Sequence, residues 1–171
     1  MPQAADATSA TAILNCFPPV CNSDTRILIL GSLPGVVSLT IAQYYGHPQN
    51  AFWKLMSEVV GADLRAMTYE ARLRALLAHG VGLWDVVAEA QRKGSLDSNI
   101  VGHTSNDLPA LIESLPLLHT IAFNGGTAAK LGIKALKERA DKYRILMLPS
   151  SSPAYTLAYA EKLAQWSALK V

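Results

Sequence analysis

Ile27-Leu28-Ile29-Leu30-Gly31-Ser32-Leu33-Pro34-Gly35 is the stretch on which the fold turns. Four apolar residues in a row, without alternation, suit a strand buried on both faces of a parallel sheet. The run stops at Gly31, and the Pro34-Gly35 pair marks a turn rather than a continuing strand. Two more runs repeat the pattern. Leu118-His119-Thr120-Ile121-Ala122-Phe123 ends in Asn124-Gly125-Gly126, and Arg144-Ile145-Leu146-Met147-Leu148 ends in Pro149-Ser150-Ser151-Ser152-Pro153. A weaker run covers Val81 to Val86.

Between these runs the apolar period becomes helical. Phe52, Leu55, Met56, Val59 and Val60 share one helix face. Leu73, Leu76 and Leu77 follow Thr68, an expected N-cap, and precede Gly80, an expected stop. Asp107 is expected to cap a helix through Leu115, and helices over 127–139 and 155–169 complete the set. Strands alternating with helices predict parallel pairing through right-handed crossovers. The expected class is therefore α/β, a three-layer α/β/α arrangement with a central parallel sheet of about four strands. Residues 1–25, rich in Ala, Thr, Ser, Asn and Pro, are expected to form a flexible N-terminal segment, and 26–171 a single domain.

With 50% hydrophobic and 16% charged residues over 171 positions, the chain is not expected to be disordered. No uninterrupted apolar run reaches the about 18 residues of a membrane span. The opening Met1-Pro2-Gln3-Ala4-Ala5-Asp6 has no basic segment leading into an apolar core, so a cytoplasmic location is expected. Two cysteines, Cys16 and Cys21, are too few for a four-thiolate cluster and are expected to be free thiols. A net charge of +2 leaves a nucleic-acid partner open.

In a parallel sheet, ligands bind beyond the carboxyl ends of the strands. All three Gly- and Pro-shaped loops are expected at that edge. The first has neither the Lys-Ser/Thr ending of a phosphate-binding loop nor the glycine spacing of a dinucleotide fold, which argues against a nucleotide cofactor. Beyond it comes Tyr44-Tyr45-Gly46-His47-Pro48-Gln49-Asn50-Ala51-Phe52-Trp53. Asn50 suits a helix N-cap there. The same aromatic faces and amides suit a pocket that stacks on a nucleobase and reads its edge.

Together, Gly31-Ser32-Leu33-Pro34-Gly35 and Tyr44 to Trp53 resemble the uracil-DNA glycosylase superfamily, nearest its hypoxanthine-DNA glycosylase (DNA-deoxyinosine glycosylase) branch. Gly82-Leu83-Trp84-Asp85-Val86, Gly94-Ser95-Leu96-Asp97-Ser98, Asn106-Asp107-Leu108, Phe123-Asn124-Gly125 and Leu148 to Pro153 agree in order, so the resemblance spans about residues 26 to 160. It implies a monofunctional DNA glycosylase of base-excision repair that hydrolyses the N-glycosidic bond of a deaminated base, deoxyinosine first and uracil second. Alternatives are a mismatch-dependent uracil-DNA glycosylase and a catalytically silent relative that binds damaged DNA or a nucleobase. The implied partner is double-stranded DNA containing a damaged base. The protein is expected to act as a monomer, without membrane attachment, cofactor, metal or iron–sulfur cluster.

Residue by residue, the resemblance implies catalytic roles for Asn50 and Ser32. Ser32 and Leu33 stand where uracil-specific branches carry an Asn or have an Asp nearby. A base pocket is expected from Gly31, Leu33, Pro34, Gly35, Tyr45, Phe52 and Asn124. DNA contacts are expected from Ser150, Ser151, Ser152, Pro153 and His47, although the serine loop lacks the His of the most active branches. No lysine in the matched motifs offers a Schiff base, so no lyase step is expected. Asp85 and Asp97 are read as structural, and Arg72, Arg74, Arg92 and Lys93 as solvated.

Overall fold

The computed structural model describes residues 13–170. In chain order it contains β1 (Ile13–Asn15), β2 (Ile27–Gly31), α1 (Val36–Ile41), α2 (Phe52–Val60), α3 (Tyr69–Ala78), β3 (Val81–Asp85), β4 (Val87–Gln91), β5 (Val101–Ser105), α4 (Leu108–Glu113), β6 (Thr120–Asn124), α5 (Gly126–Leu136), β7 (Arg144–Leu148) and α6 (Tyr159–Trp166).

The unalternating strand behaves as its composition demands. All five residues of β2 are buried, and it pairs in parallel with β3 on one side and β6 on the other. With β7 beyond β6, the order is β3-β2-β6-β7. Successive side chains of β2 enter opposite cores. Ile27 and Ile29 pack with Phe52, Leu55, Met56, Leu76 and Trp166 from α2, α3 and α6. Leu28 and Leu30 pack with Leu108, Ile112, Ala128 and Leu136 from α4 and α5. Two apolar faces thus put helices on both sides of one sheet, the expected three layers. Gly132 lets α5 lie close on the sheet, because a Cβ there would collide with the Phe123 ring.

Local signals set several boundaries. Thr68 Oγ1 accepts from the Ala71 N–H at the start of α3, and Asp107 Oδ1 accepts from Ala110 at the start of α4. Gly80 takes φ +75, a conformation open to glycine without a Cβ penalty. The last helix begins later than expected, at Tyr159, with a turn over 153–154 before it.

Two expectations are corrected. The segment to residue 25 is held against the domain from Ile13 onward, so the boundary at residue 26 does not stand. Strand β1 pairs with β4, Val20 bridges to Leu83, the Trp84 indole donates to Phe17 O, and the Tyr44 hydroxyl donates to Pro18 O. Residues 1–12 of that expected segment lie outside the described residues. The second correction is a sheet that the apolar runs did not announce. Strands β1, β4 and β5 form an antiparallel ribbon, with β4 following almost directly on β3. Every residue of β5 is exposed, so no apolar face marks it. Among the described residues, no helix is long and apolar enough to cross a membrane.

Candidate active site

Strand order changes direction between β2 and β6, since β3 lies on one side of β2 while β6 and β7 lie on the other. That switch point opens a crevice at the carboxyl edge. A cavity of about 520 Å³ occupies it. Gly31 to Gly35, Tyr45, His47, Asn50, Asn124 and Ser150 to Pro153 all line it, so the loops expected to converge are brought together.

Phe52 is the exception and a correction. It is fully buried at the start of α2 and does not line the cavity. Its ring instead stacks behind that of Tyr45, centroids 3.9 Å apart and planes at 21°. Tyr45 adopts φ +54, which costs a non-glycine residue energy that the surrounding packing must offset. Burial, with the Asp85 carboxylate adding to it, pushes the Tyr45 phenol above its ordinary range, while the Asn124 amide opposes this. The hydroxyl is therefore neutral, and it is buried without a hydrogen-bond partner among the described residues.

Asn50 sits just outside α2, one residue before the N-cap position Ala51. Its Oδ1 accepts from the Phe52 N–H at 3.0 Å, capping a free donor at the helix start. A backbone N–H can only donate, so this bond fixes which end of the amide is oxygen. The NH2 end is left for the cavity that Asn50 lines. His47 is held similarly: its Nδ1 accepts from Gln49 N–H, leaving Nε2 as the other ring nitrogen.

The first loop is held by residues from beyond β4. Ser32 Oγ donates to Asp97 Oδ1 at 2.7 Å, and Ser95 Oγ accepts from Val36 N–H at 2.9 Å. Arg92 is buried rather than solvated. Its guanidinium donates to the carbonyls of Leu33, Pro34 and Gly94, fixing the loop through its backbone. With its proton directed to a carboxylate, Ser32 presents oxygen lone pairs to other neighbours.

Asn124, at the end of β6, is locked by the serine loop. Its Oδ1 accepts from Ser151 N–H, and its Nδ2 donates to Ser151 Oγ, both at 2.9 Å. One N–H and one lone pair of the amide remain. Ser151 is correspondingly unavailable as a DNA-contacting hydroxyl: it is buried, and its carbonyl also accepts from Ala51 N–H. Ser150 and Ser152 remain half-buried at the cavity. The buried Lys162 amine donates to Ser152 O, and the Trp166 indole donates to Pro149 O, so the loop is anchored from α6.

Asp85, read from the sequence as structural, also stands at the cavity. It ends β3 in register with Gly31, is 3% exposed, and lines the cavity. Its Oδ2 is buried with no hydrogen-bond partner among the described residues. Burial above all, then the nearby Asp97 carboxylate, raises its pKa from 3.8 to about 7, against the pull of Arg92. Its signal in the sequence was modest, a carboxylate at the carboxyl end of the weakest apolar run.

The model of the uracil DNA glycosylase superfamily matches residues 18–171. This chain belongs to that superfamily. It is 40% identical over 151 residues to a hypoxanthine DNA glycosylase from Methanosarcina barkeri, covering 88% of this chain and 94% of that relative. A hypoxanthine DNA glycosylase from Methanosarcina acetivorans is also 40% identical, over 90% of this chain and 95% of its own length. A solution NMR structure of a candidate uracil DNA glycosylase from Methanosarcina acetivorans superposes with a TM-score of 0.81 at 40% identity, covering 92% of this chain and 96% of that one.

Within this superfamily fold, the site combines an aromatic wall, amides with unused hydrogen-bonding capacity and two carboxyl groups. Most of these groups are held by the backbone or by one another, so little reorganisation is needed when charge develops beside them. A cavity of this size, with few fixed polar groups, is in the range that encloses a small planar ligand.

Proposed function

We propose that this chain is a monofunctional DNA glycosylase of base-excision repair that hydrolyses the N-glycosidic bond of a deaminated base, deoxyinosine first and uracil second. The observation that carries this reading is the switch-point cavity that brings Tyr45, Asn50 and Asn124 together. The two relatives named hypoxanthine DNA glycosylase support the choice of base.

The damaged nucleotide leaves the duplex stack, at a cost of a few kcal/mol that is smallest for a mispaired lesion. In this reading, Tyr45 packs against the extruded base, and Asn124 reads its edge with the remaining N–H and lone pair. Bond breaking leaves positive charge on the sugar and sends the electron pair to the base. Asn50 and Ser32 hold the water that attacks the sugar carbon, Asn50 through its unused NH2 and Ser32 through its lone pairs. Gly31, Leu33, Pro34 and Gly35 form the floor, and the fixed backbone of this loop admits a planar ring. Ser150, Ser152, Pro153 and His47 meet the DNA strand, which suits positioning more than sequence reading. The enzyme works on double-stranded DNA as a monomer, in the cytoplasm where that DNA lies. It needs no cofactor, metal or iron–sulfur cluster and has no lyase step.

Duplexes carrying deoxyinosine, deoxyuridine or only normal bases, treated with the enzyme and then with alkali, test this reading. The expected result is alkali-dependent cleavage, fastest at deoxyinosine, with no strand break before alkali and no borohydride-trapped adduct. Cleavage at deoxyuridine alone would favour the uracil-specific alternative, and binding without base release the silent one.

A further inference from the structure

We propose that Asp85 is the general acid of this site, delivering a proton to a ring nitrogen of the departing purine. The inference rests on the glycosylase reading above and deepens it by giving the purine preference a chemical basis.

Two polar groups with no partner lie side by side under the cavity. Asp85 Oδ2 and Tyr45 Oη are both buried without a hydrogen bond from any described residue. A Cβ placed on Gly31 would stand 2.6 Å from Asp85 Oδ1 and 3.0 Å from Tyr45 Oη. The missing side chain at Gly31 therefore lets both groups crowd against its backbone at the cavity that Gly31, Tyr45 and Asp85 line. An unsatisfied buried polar group costs about 1–3 kcal/mol, and two adjacent ones lining a cavity are explained if a ligand completes them. A purine ring offers acceptors at N3 and N7. A pyrimidine such as uracil has no basic ring nitrogen before its bond breaks.

The surroundings fit a carboxyl group that holds its proton near neutral pH. Asp97 faces Asp85 and disfavours its ionisation, Arg92 favours it, and Tyr44, Tyr45 and Cys16 are neutral groups whose own ionisation Asp85 opposes. Burial outweighs the pull of Arg92 and holds the carboxyl at about 7.

The C1′–N9 bond breaks and its electron pair passes to the base. The Asp85 proton moves to a ring nitrogen, so the base leaves as neutral hypoxanthine. Water adds to C1′ and releases a proton to solvent, and solvent reprotonates the carboxylate. No oxidant or other co-reactant is required.

Single-turnover release of hypoxanthine from a deoxyinosine duplex, followed from about pH 5.5 to about 9, tests the proposal with the unaltered enzyme and with Asp85→Asn. The unaltered enzyme should show a plateau at low pH and lose about tenfold per pH unit above a break near neutrality. Asp85→Asn keeps the shape and the hydrogen-bonding capacity of the side chain but has no proton to give. It should be at least about 100-fold slower at low pH and show no break. A rate that stays flat or rises through pH 9 in the unaltered enzyme overturns the assignment, and that measurement needs no variant. So does an Asp85→Asn enzyme that keeps the break. An enzyme releasing no hypoxanthine at any pH would refute the deoxyinosine reading on which the proposal rests, whereas release with a flat profile refutes only the role of Asp85.

Discussion

Asn50 uses its carbonyl oxygen to cap the Phe52 N–H and leaves its NH2 at the cavity. In the proposed reading this side chain carries a structural and a chemical duty, and the two separate by measurement. Asn50→Ala should slow single-turnover base release by about 100-fold or more, as loss of one preorganised polar group does. The same change should cost about 1 kcal/mol of folding stability through the lost cap. Lesion-duplex binding, measured by fluorescence anisotropy, should shift little, because phosphate contacts supply most of that affinity. Early melting with near-normal turnover would reduce Asn50 to a cap. Gly31 is the complementary case, a residue useful for what it lacks. Gly31→Ala drives a methyl group to within 2.6 Å of Asp85 Oδ1 and 3.0 Å of Tyr45 Oη. Base release should fall by at least about tenfold, since a small misplacement at a reacting centre is costly. An unaffected rate would show that the placement of Asp85 and Tyr45 does not matter to base release.

At the scale of elements, the site depends on a ribbon that holds the Gly31–Gly35 loop from beyond β4. Arg92 binds the carbonyls of Leu33 and Pro34. Arg92→Met keeps much of the side chain's bulk and leaves those carbonyls without a donor. Urea unfolding should show a loss of about 2–4 kcal/mol, given the cost of orphaned buried acceptors, and base release should fall with it. Full stability in the variant would mean that the loop holds itself. The parallel strands were legible because burial on both faces leaves continuous apolar runs such as Ile27 to Leu30. The helix starts at Thr68 and Asp107 were legible because capping needs particular side chains at particular places. The β1-β4-β5 ribbon was not, since β5 is exposed throughout and shows neither alternation nor an apolar run. That omission carried over to the site. Arg92 looked solvated and Asp97 merely loop-forming because nothing in their neighbourhood revealed that the ribbon folds back onto Leu33 and Ser32. Phe52 lay in the right motif but one layer too deep, a distinction that only packing decides.

At the scale of the whole molecule, a parallel sheet with a switch point delivers the ends of β2, β3 and β6 to one crevice, and a buried carboxyl group comes with them. That burial has a consequence for stability. Asp85 holds its proton up to about pH 7 in the fold, against an ordinary value of 3.8. The folded state thus binds this proton more tightly than the unfolded chain does. The contribution of Asp85 is most favourable below about pH 4 and is lost as pH rises to about 7. Across that window the Tm of the unaltered protein should fall relative to that of Asp85→Asn by about 3 °C or more. Parallel pH dependence of the two proteins would place Asp85 in a less buried setting.

What leaves the DNA distinguishes a glycosylase from a binding protein. The most direct measurement is chromatographic detection of free base after a single turnover on a deoxyinosine duplex, with the Asn50→Ala enzyme run beside the unaltered one. A glycosylase that uses Asn50 should yield free hypoxanthine in one-to-one ratio with abasic sites on an otherwise intact strand, and release it about 100-fold more slowly in the variant. Bound duplex with no free hypoxanthine, or equal release by both enzymes, would contradict this reading.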